Sequence, residues 1–359
     1  MKKLLALLLV ALMATTLLAG VASAEEPYKI GMLPKFKGEN YFDGCYVGAA
    51  NAAEEFGIEL VYDGPHQSEA TNAKQVEILT GWLSQDFDAI VVSPCDAEGI
   101  ASTLRQFQDK GVLVLTFDAD APSDARTFYV NQATPRDIAV GLVDVIANGL
   151  IEGGFGPDVP ARLALISGSG LDVNQNEWIL AIEAYLAETY PWLTVDADEV
   201  GYLGPDIWTP GSDETAAQNA ANESIALSGN ATDGSQINAV IGTSSMSTPA
   251  LAAAWDATVG DKPEVVITGL ATPMGIVDYI LDEDNPMDYG VLWDVNNLGY
   301  LSIEAAIAYL NGEIKGEEGE VFPSNLGDKH FVLGDDGGLE LLLGAALTFG
   351  PDNVESFNY

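Results

Sequence analysis

Cations are scarce in this chain, and one of them stands where a ligand would meet it. Of 359 residues, 14 are Lys or Arg and 54 are Asp or Glu. Lys35 lies in PKFKGENYF, just after the apolar run KIGML, with Tyr41 and Phe42 close behind. A lysine so placed donates to hydroxyl or carbonyl oxygens, and an aromatic face accepts the CH-rich side of a sugar ring. Phe42 suits a core position opening a helix equally well. After a second apolar run, VLVLTF, come Asp118 and Asp120. Carboxylates at such a point fix polyols by accepting hydroxyl hydrogen bonds, although an exposed Asp-rich turn is the ordinary alternative; position favours Asp118. Downstream, SGSGLDVNQNEW supplies Asn174, Gln175 and Asn176 as mixed donors and acceptors, TSSMS supplies Thr243, Ser244 and Ser245, and LWD ends in Trp293 and Asp294.

These groups match hydroxyls; they do not compose a catalytic centre. His66 and His330 are the only histidines, neither has metal-ligand spacing, and no nucleophile elbow or P-loop is present. The glycines of SGSG lack the third member of a dinucleotide fingerprint, and the acidic turns DEDNPMD and GDDGG fail the EF-hand spacing. A binder is expected rather than an enzyme, with no cofactor and no metal. The formal net charge of −40 excludes nucleic acid and anionic membranes as partners, since both require clustered cations. A hydrophobic content of 48% supplies enough apolar surface to outweigh disorder. The acidity reads as a surface adaptation to saline surroundings.

Elements that would position these residues follow from periodicity. Short β-branched or apolar runs (YKIGML, IELVY, AIVVS, VLVLTFD, FYVN) alternate with helical patterns, such as residues 42–56, which Gly57 should end. The rhythm resumes with LALISG, a helix from Asn176, LTVDADEV, NAVIGT, EVVITGL and YGVLWD. The expected class is α/β, with two doubly wound Rossmann-like lobes on parallel sheets. No Pro/Ser-rich or charged linker separates the lobes, so they should pack closely and exchange strands. Open α/β sheets place ligands at the C-terminal ends of their strands, which is where the residues above fall.

The first 24 residues read as a cleaved secretory leader: Lys2 and Lys3, an apolar run, and ASA before Glu25. Val21 stands where a lipoprotein signal would need cysteine, so a free periplasmic protein is expected, not a lipidated one. That compartment permits disulfides. Cys45 and Cys95 fall near one end of the first sheet, and a bond between them and two buried thiols are equal alternatives.

Taken together, KIGMLPK, YDGP, DAIVVSP, LTFDAD, NQATP, NQNEW, LWDV and LGYL resemble the periplasmic solute-binding proteins of carbohydrate ABC importers. Within the ribose-binding-like group, the likeness is greatest to rhamnose-binding and furanosyl autoinducer-binding members. The resemblance implies two lobes joined by a three-crossover hinge, with crossovers near 131–134, near 294–296 and around Phe322. The lobes would comprise 25–132 plus 295–322, and 133–294 plus 323–359. It implies capture of a small sugar for an inner-membrane permease, by a monomer, with a chemoreceptor as a further partner; the alternative is reception of a furanosyl quorum signal. The family's ligand positions fall on Lys35, Phe42, Asp118, Asn174, Gln175, the turn from Thr243 to Ser245, and Asp294. Autoinducer-binding members carry aspartate at the position of Asn174 and proline at that of Thr243, so hydroxyl preference should differ.

Overall fold

The computed structural model describes residues 27–168, 170–197, 201–211, 213–334, 336–357 and 359. The expected leader lies outside them, as do 198–200 of the LTVDADEV segment and Asp335 of the GDDGG turn. The chain opens with β1 (Lys29–Leu33), α1 (Asn40–Phe56), β2 (Glu59–Tyr62), α2 (Asn72–Trp82), β3 (Ala89–Val92), α3 (Ala97–Gln108), β4 (Leu113–Phe117), β5 (Phe128–Asn131) and α4 (Pro135–Glu152). β3 and β4 are buried along their whole length, because helices cover both faces of a parallel sheet and leave no face for polar residues. Gly57 ends α1 in the left-handed conformation, at φ 68°, where glycine alone pays no steric cost.

A second series follows: β6 (Ala161–Ile166), α5 (Val173–Thr189), β7 (Leu193–Thr194), β8 (Ile207–Trp208), α6 (Glu214–Ala226), β9 (Ala239–Gly242), α7 (Ser247–Asp256), β10 (Val266–Gly269), α8 (Pro273–Ile280) and β11 (Gly290–Leu292). Its sheet runs β10-β9-β6-β7, with β8 also on β6, all parallel. The described part of LTVDADEV forms the short β7, and α5 begins three residues before the expected Asn176.

The chain then returns to the first lobe. α9 (Val295–Leu310) packs against α1, and the contact is backbone to backbone: a Cβ on Gly48 would lie 1.7 Å from the Asn296 carbonyl oxygen, and one on Gly299 1.8 Å from that of Cys45. Strands β12 (Val321–Ser324), β13 (Gly327–Leu333) and β14 (Leu339–Leu342) then extend the first sheet to eight strands, in the order β12-β13-β14-β5-β4-β3-β1-β2. This corrects the sequence expectation, which gave 323–359 to the second lobe. β14 pairs in parallel with β5, Leu341 opposite Val130; the chain from β15 (Leu347–Phe349) onward goes back, β15 antiparallel to β11 and Tyr359 accepting the Met274 N–H at 3.1 Å. Phe322 lies on β12, inside the first sheet, and the chain leaves that sheet only after β14, before β15 joins β11. β12 and β13 are an edge hairpin, half exposed, with Pro323 on the outermost strand, where its missing N–H costs nothing.

The cysteines are both free, so the disulfide alternative is not realised. Cys45 is buried where α1 meets α9, whereas the Cys95 thiol, on the loop after β3, donates to the Lys35 carbonyl at 3.5 Å. Burial pushes the Cys45 thiol well up and that of Cys95 up to about 12, which keeps both as inert thiols.

Candidate functional site

Loops at the C-terminal ends of β1, β4, β6, β9 and β11 line a half-open cavity of ≈ 80 Å³ between the lobes. Lys35, Tyr41, Phe42, Asp118, Asn174, Gln175, Thr243, Ser245 and Trp293, all singled out on sequence, line it. Asp294 does not. Its carboxylate accepts the backbone N–H of Asn297 at 2.9 Å and caps α9, the ordinary use of an aspartate at a helix start. Asp120 is likewise elsewhere, paired with the buried Arg126.

The first-lobe wall is fixed by its hydrogen bonds. Asp118 has φ 62°, a left-handed conformation that asparagine and aspartate tolerate best among side-chain-bearing residues. Its carbonyl accepts from Tyr129 Oη at 2.8 Å, Gln132 Nε2 at 3.1 Å and, across the cleft, Asn174 Nδ2 at 3.3 Å. Ser93 Oγ donates to its carboxylate Oδ2 at 2.6 Å. These bonds hold a strained residue in place, as functional positions often require. Lys35 Nζ lies 3.8 Å from the same Oδ2 and 2.9 Å from Asp172 Oδ1 in the other lobe. Burial alone would lower the lysine's pKa; the two carboxylates outweigh it and raise it, so the ammonium is permanent.

On the second-lobe wall, Gln175 Oε1 accepts from Ser167 Oγ at 3.0 Å, the Gly168 N–H at 2.6 Å and Thr243 Oγ1 at 2.7 Å. With its acceptor used, Gln175 has its Nε2 donors to offer. Asn174 is the reverse: its Nδ2 is engaged by Asp118, and its buried Oδ1 has no partner in the protein. An orphaned acceptor of this kind costs about 1–3 kcal/mol until a donor reaches it.

Aromatic rings close the cavity. Tyr41 and Phe42 meet edge to face at 5.0 Å, Tyr41 and Trp293 at 6.0 Å, and Trp293 Nε1 donates to Tyr41 Oη at 3.0 Å. Trp178, 5.7 Å from Trp293, was not anticipated; the signal was its place four residues after Asn174 on one helix face. Glu39 and Asp172 were also missed as lining residues. Burial, outweighing hydrogen bonds from the Tyr41 backbone and Ser245, pushes the half-buried Glu39 up to about 7. Asp172 stands at the start of α5 and makes no capping hydrogen bond; its carboxylate reaches Lys35 instead.

Comparison with known proteins places this geometry. An ABC transporter solute-binding protein from Clostridium phytofermentas with bound L-rhamnose superposes with a TM-score of 0.79 at 25% identity, over 92% of this chain and 98% of its own. LsrB from Clostridium saccharobutylicum in complex with AI-2 superposes with a TM-score of 0.79 at 23% identity, covering 92% and 100% of the two chains. The D-xylose-binding periplasmic protein of Escherichia coli is 23% identical over 246 residues, 65% of this chain and 68% of the relative. The family model for the periplasmic binding protein domain matches residues 30–314, and the chain belongs to that family.

Proposed function

We propose that this chain is a non-enzymatic periplasmic receptor that captures a small sugar between its lobes and delivers it to the permease of an ABC importer. The observation that carries this reading is the cavity wall itself. Aromatic faces stand beside an orphaned Asn174 acceptor, Gln175 donors, and the Lys35 and Asp118 charges. A sugar ring supplies both kinds of complement: CH faces for the rings and hydroxyls that donate and accept. Among the described residues no group of His, Cys, Asp and Glu is arranged to hold a metal ion. We assign Lys35, Tyr41, Phe42, Asp118, Asn174, Gln175, Thr243, Ser245 and Trp293 to the ligand, and 27–132 plus 295–342 to the first lobe. Export through the leader at 1–24, without lipidation, and action as a monomer complete the reading. A furanosyl signal is the second reading, favoured by the likeness to the AI-2 complex; it would add a chemoreceptor as partner.

The test is a thermal-shift screen of the mature protein in high salt against L-rhamnose, D-xylose, D-arabinose and AI-2. A ligand that binds only the folded state raises the melting temperature, by about 2.7 kcal/mol of stability at a hundred times its Kd. A rise with one of the sugars supports transport, a rise with AI-2 alone supports the signal receptor, and no rise with any of the four overturns both.

A further inference from the structure

The cleft holds one cation, and the protein has already used it. Lys35 Nζ lies 2.9 Å from Asp172 Oδ1 and 3.8 Å from Asp118 Oδ2. These side chains are 11%, 12% and 8% exposed in the same order, so water screens them little. Glu39 is a third carboxyl on the cavity wall, and among the described residues no other basic side chain lines it. Asp172 is placed for this contact. It begins α5, yet its carboxylate does not cap the helix. It packs over Gly168, where a Cβ would lie 2.8 Å from Asp172 Oδ2 and 2.7 Å from Gln175 Nε2.

We infer that Asp172 is a specificity-determining residue: by spending the charge of Lys35 across the lobes, it confines the cleft to uncharged polyols and rejects the corresponding sugar acids. The inference rests on the sugar-binding reading and deepens it. A carboxylate on the ligand would enter a desolvated site whose acids outnumber its single lysine, and like charges there suppress wrong ligands strongly. Its oxygens would also bring acceptors to a wall already rich in them, and none would satisfy Asn174 Oδ1. Hydroxyls bring the missing donors.

Isothermal titration with matched pairs tests this: L-rhamnose with L-mannuronate, D-xylose with D-glucuronate, and D-arabinose with L-galacturonate. Within each pair the ring hydroxyls are shared and the sugar acid carries a carboxylate at C5. The wild-type protein should bind one neutral member, with its acid at least about a hundredfold weaker. Asp172→Asn, similar in shape, leaves Lys35 free to meet the carboxylate and should narrow that ratio about tenfold or more, chiefly by gain of the acid. Asp172→Glu should restore the discrimination. Equal wild-type affinity for both members of a pair, or an unchanged ratio in Asp172→Asn with the sugar-free melting temperature retained, overturns the role of Asp172 alone. If no member of any pair binds either protein, the sugar reading falls and takes this inference with it.

Discussion

The two walls of the cleft use the same residue types to opposite effect. On the first-lobe side, Asp118 is held by Ser93, Tyr129 and Gln132, so its carboxylate has one position to offer. On the second-lobe side, Asn174 keeps a buried acceptor unmatched and Asp172 declines the capping role its position offers. The first wall is preorganised, which reduces the ordering cost of binding. The second carries the unmatched Asn174 acceptor and the Asp172 charge that occupies Lys35, and these decide which ligand fits. Affinity should therefore depend most on the first wall and selectivity on the second.

The largest effect should come from breaking the preorganised side. Asp118→Asn tolerates the left-handed backbone but removes the charged acceptor facing Lys35. We expect a loss of about a hundredfold or more in sugar affinity, with the melting temperature nearly unchanged. Retention of affinity within threefold by titration would show that the first wall does not anchor the ligand. Gly168→Ala strikes the other side, since its Cβ would press on Gln175 and Asp172 together. There the expected loss is about tenfold in affinity with altered ranking among sugars; an unchanged ranking would argue against the division of labour between walls. The smallest effect concerns Glu39, whose carboxyl burial lifts from 4.5 to about 7. Between those values the native chain holds a proton that the unfolded chain has released, so this contribution to stability is full below about pH 4.5 and is lost as pH rises through 7. Glu39→Gln should flatten the melting-temperature profile across that interval, and an unaltered slope would remove Glu39 from the account.

Much of the cleft lining was legible because it obeys a simple rule: chemistry-bearing residues follow apolar runs. Lys35 after β1 and Asp118 after β4 are of this kind, as are Thr243 and Trp293. Asp172 was illegible because an aspartate before a helix reads as a cap, and only the approach of the other lobe reveals its partner. Asp294 is the converse case: its place after β11 suggests a ligand group, and its carboxylate caps α9. The addition of β12 to β14 to the first sheet could not be read either. Hairpins at a sheet edge are half exposed and carry no periodic signature of the sheet they join; that choice is made by tertiary pairing with β5.

That pairing sets the order in which the molecule can be finished. The side chains of Asn131 and Glu340, joined across β5 and β14, are 209 residues apart in the chain. Until the later segment arrives, β5 presents an open edge and α1 lacks the glycine-lined partner it needs. Contacts of such separation pay loop-closure entropy before they return any energy, and they make folding slow. The first lobe to be synthesised is thus the last to be completed, and the chain must pass nearly its whole length before its ligand cleft has two walls.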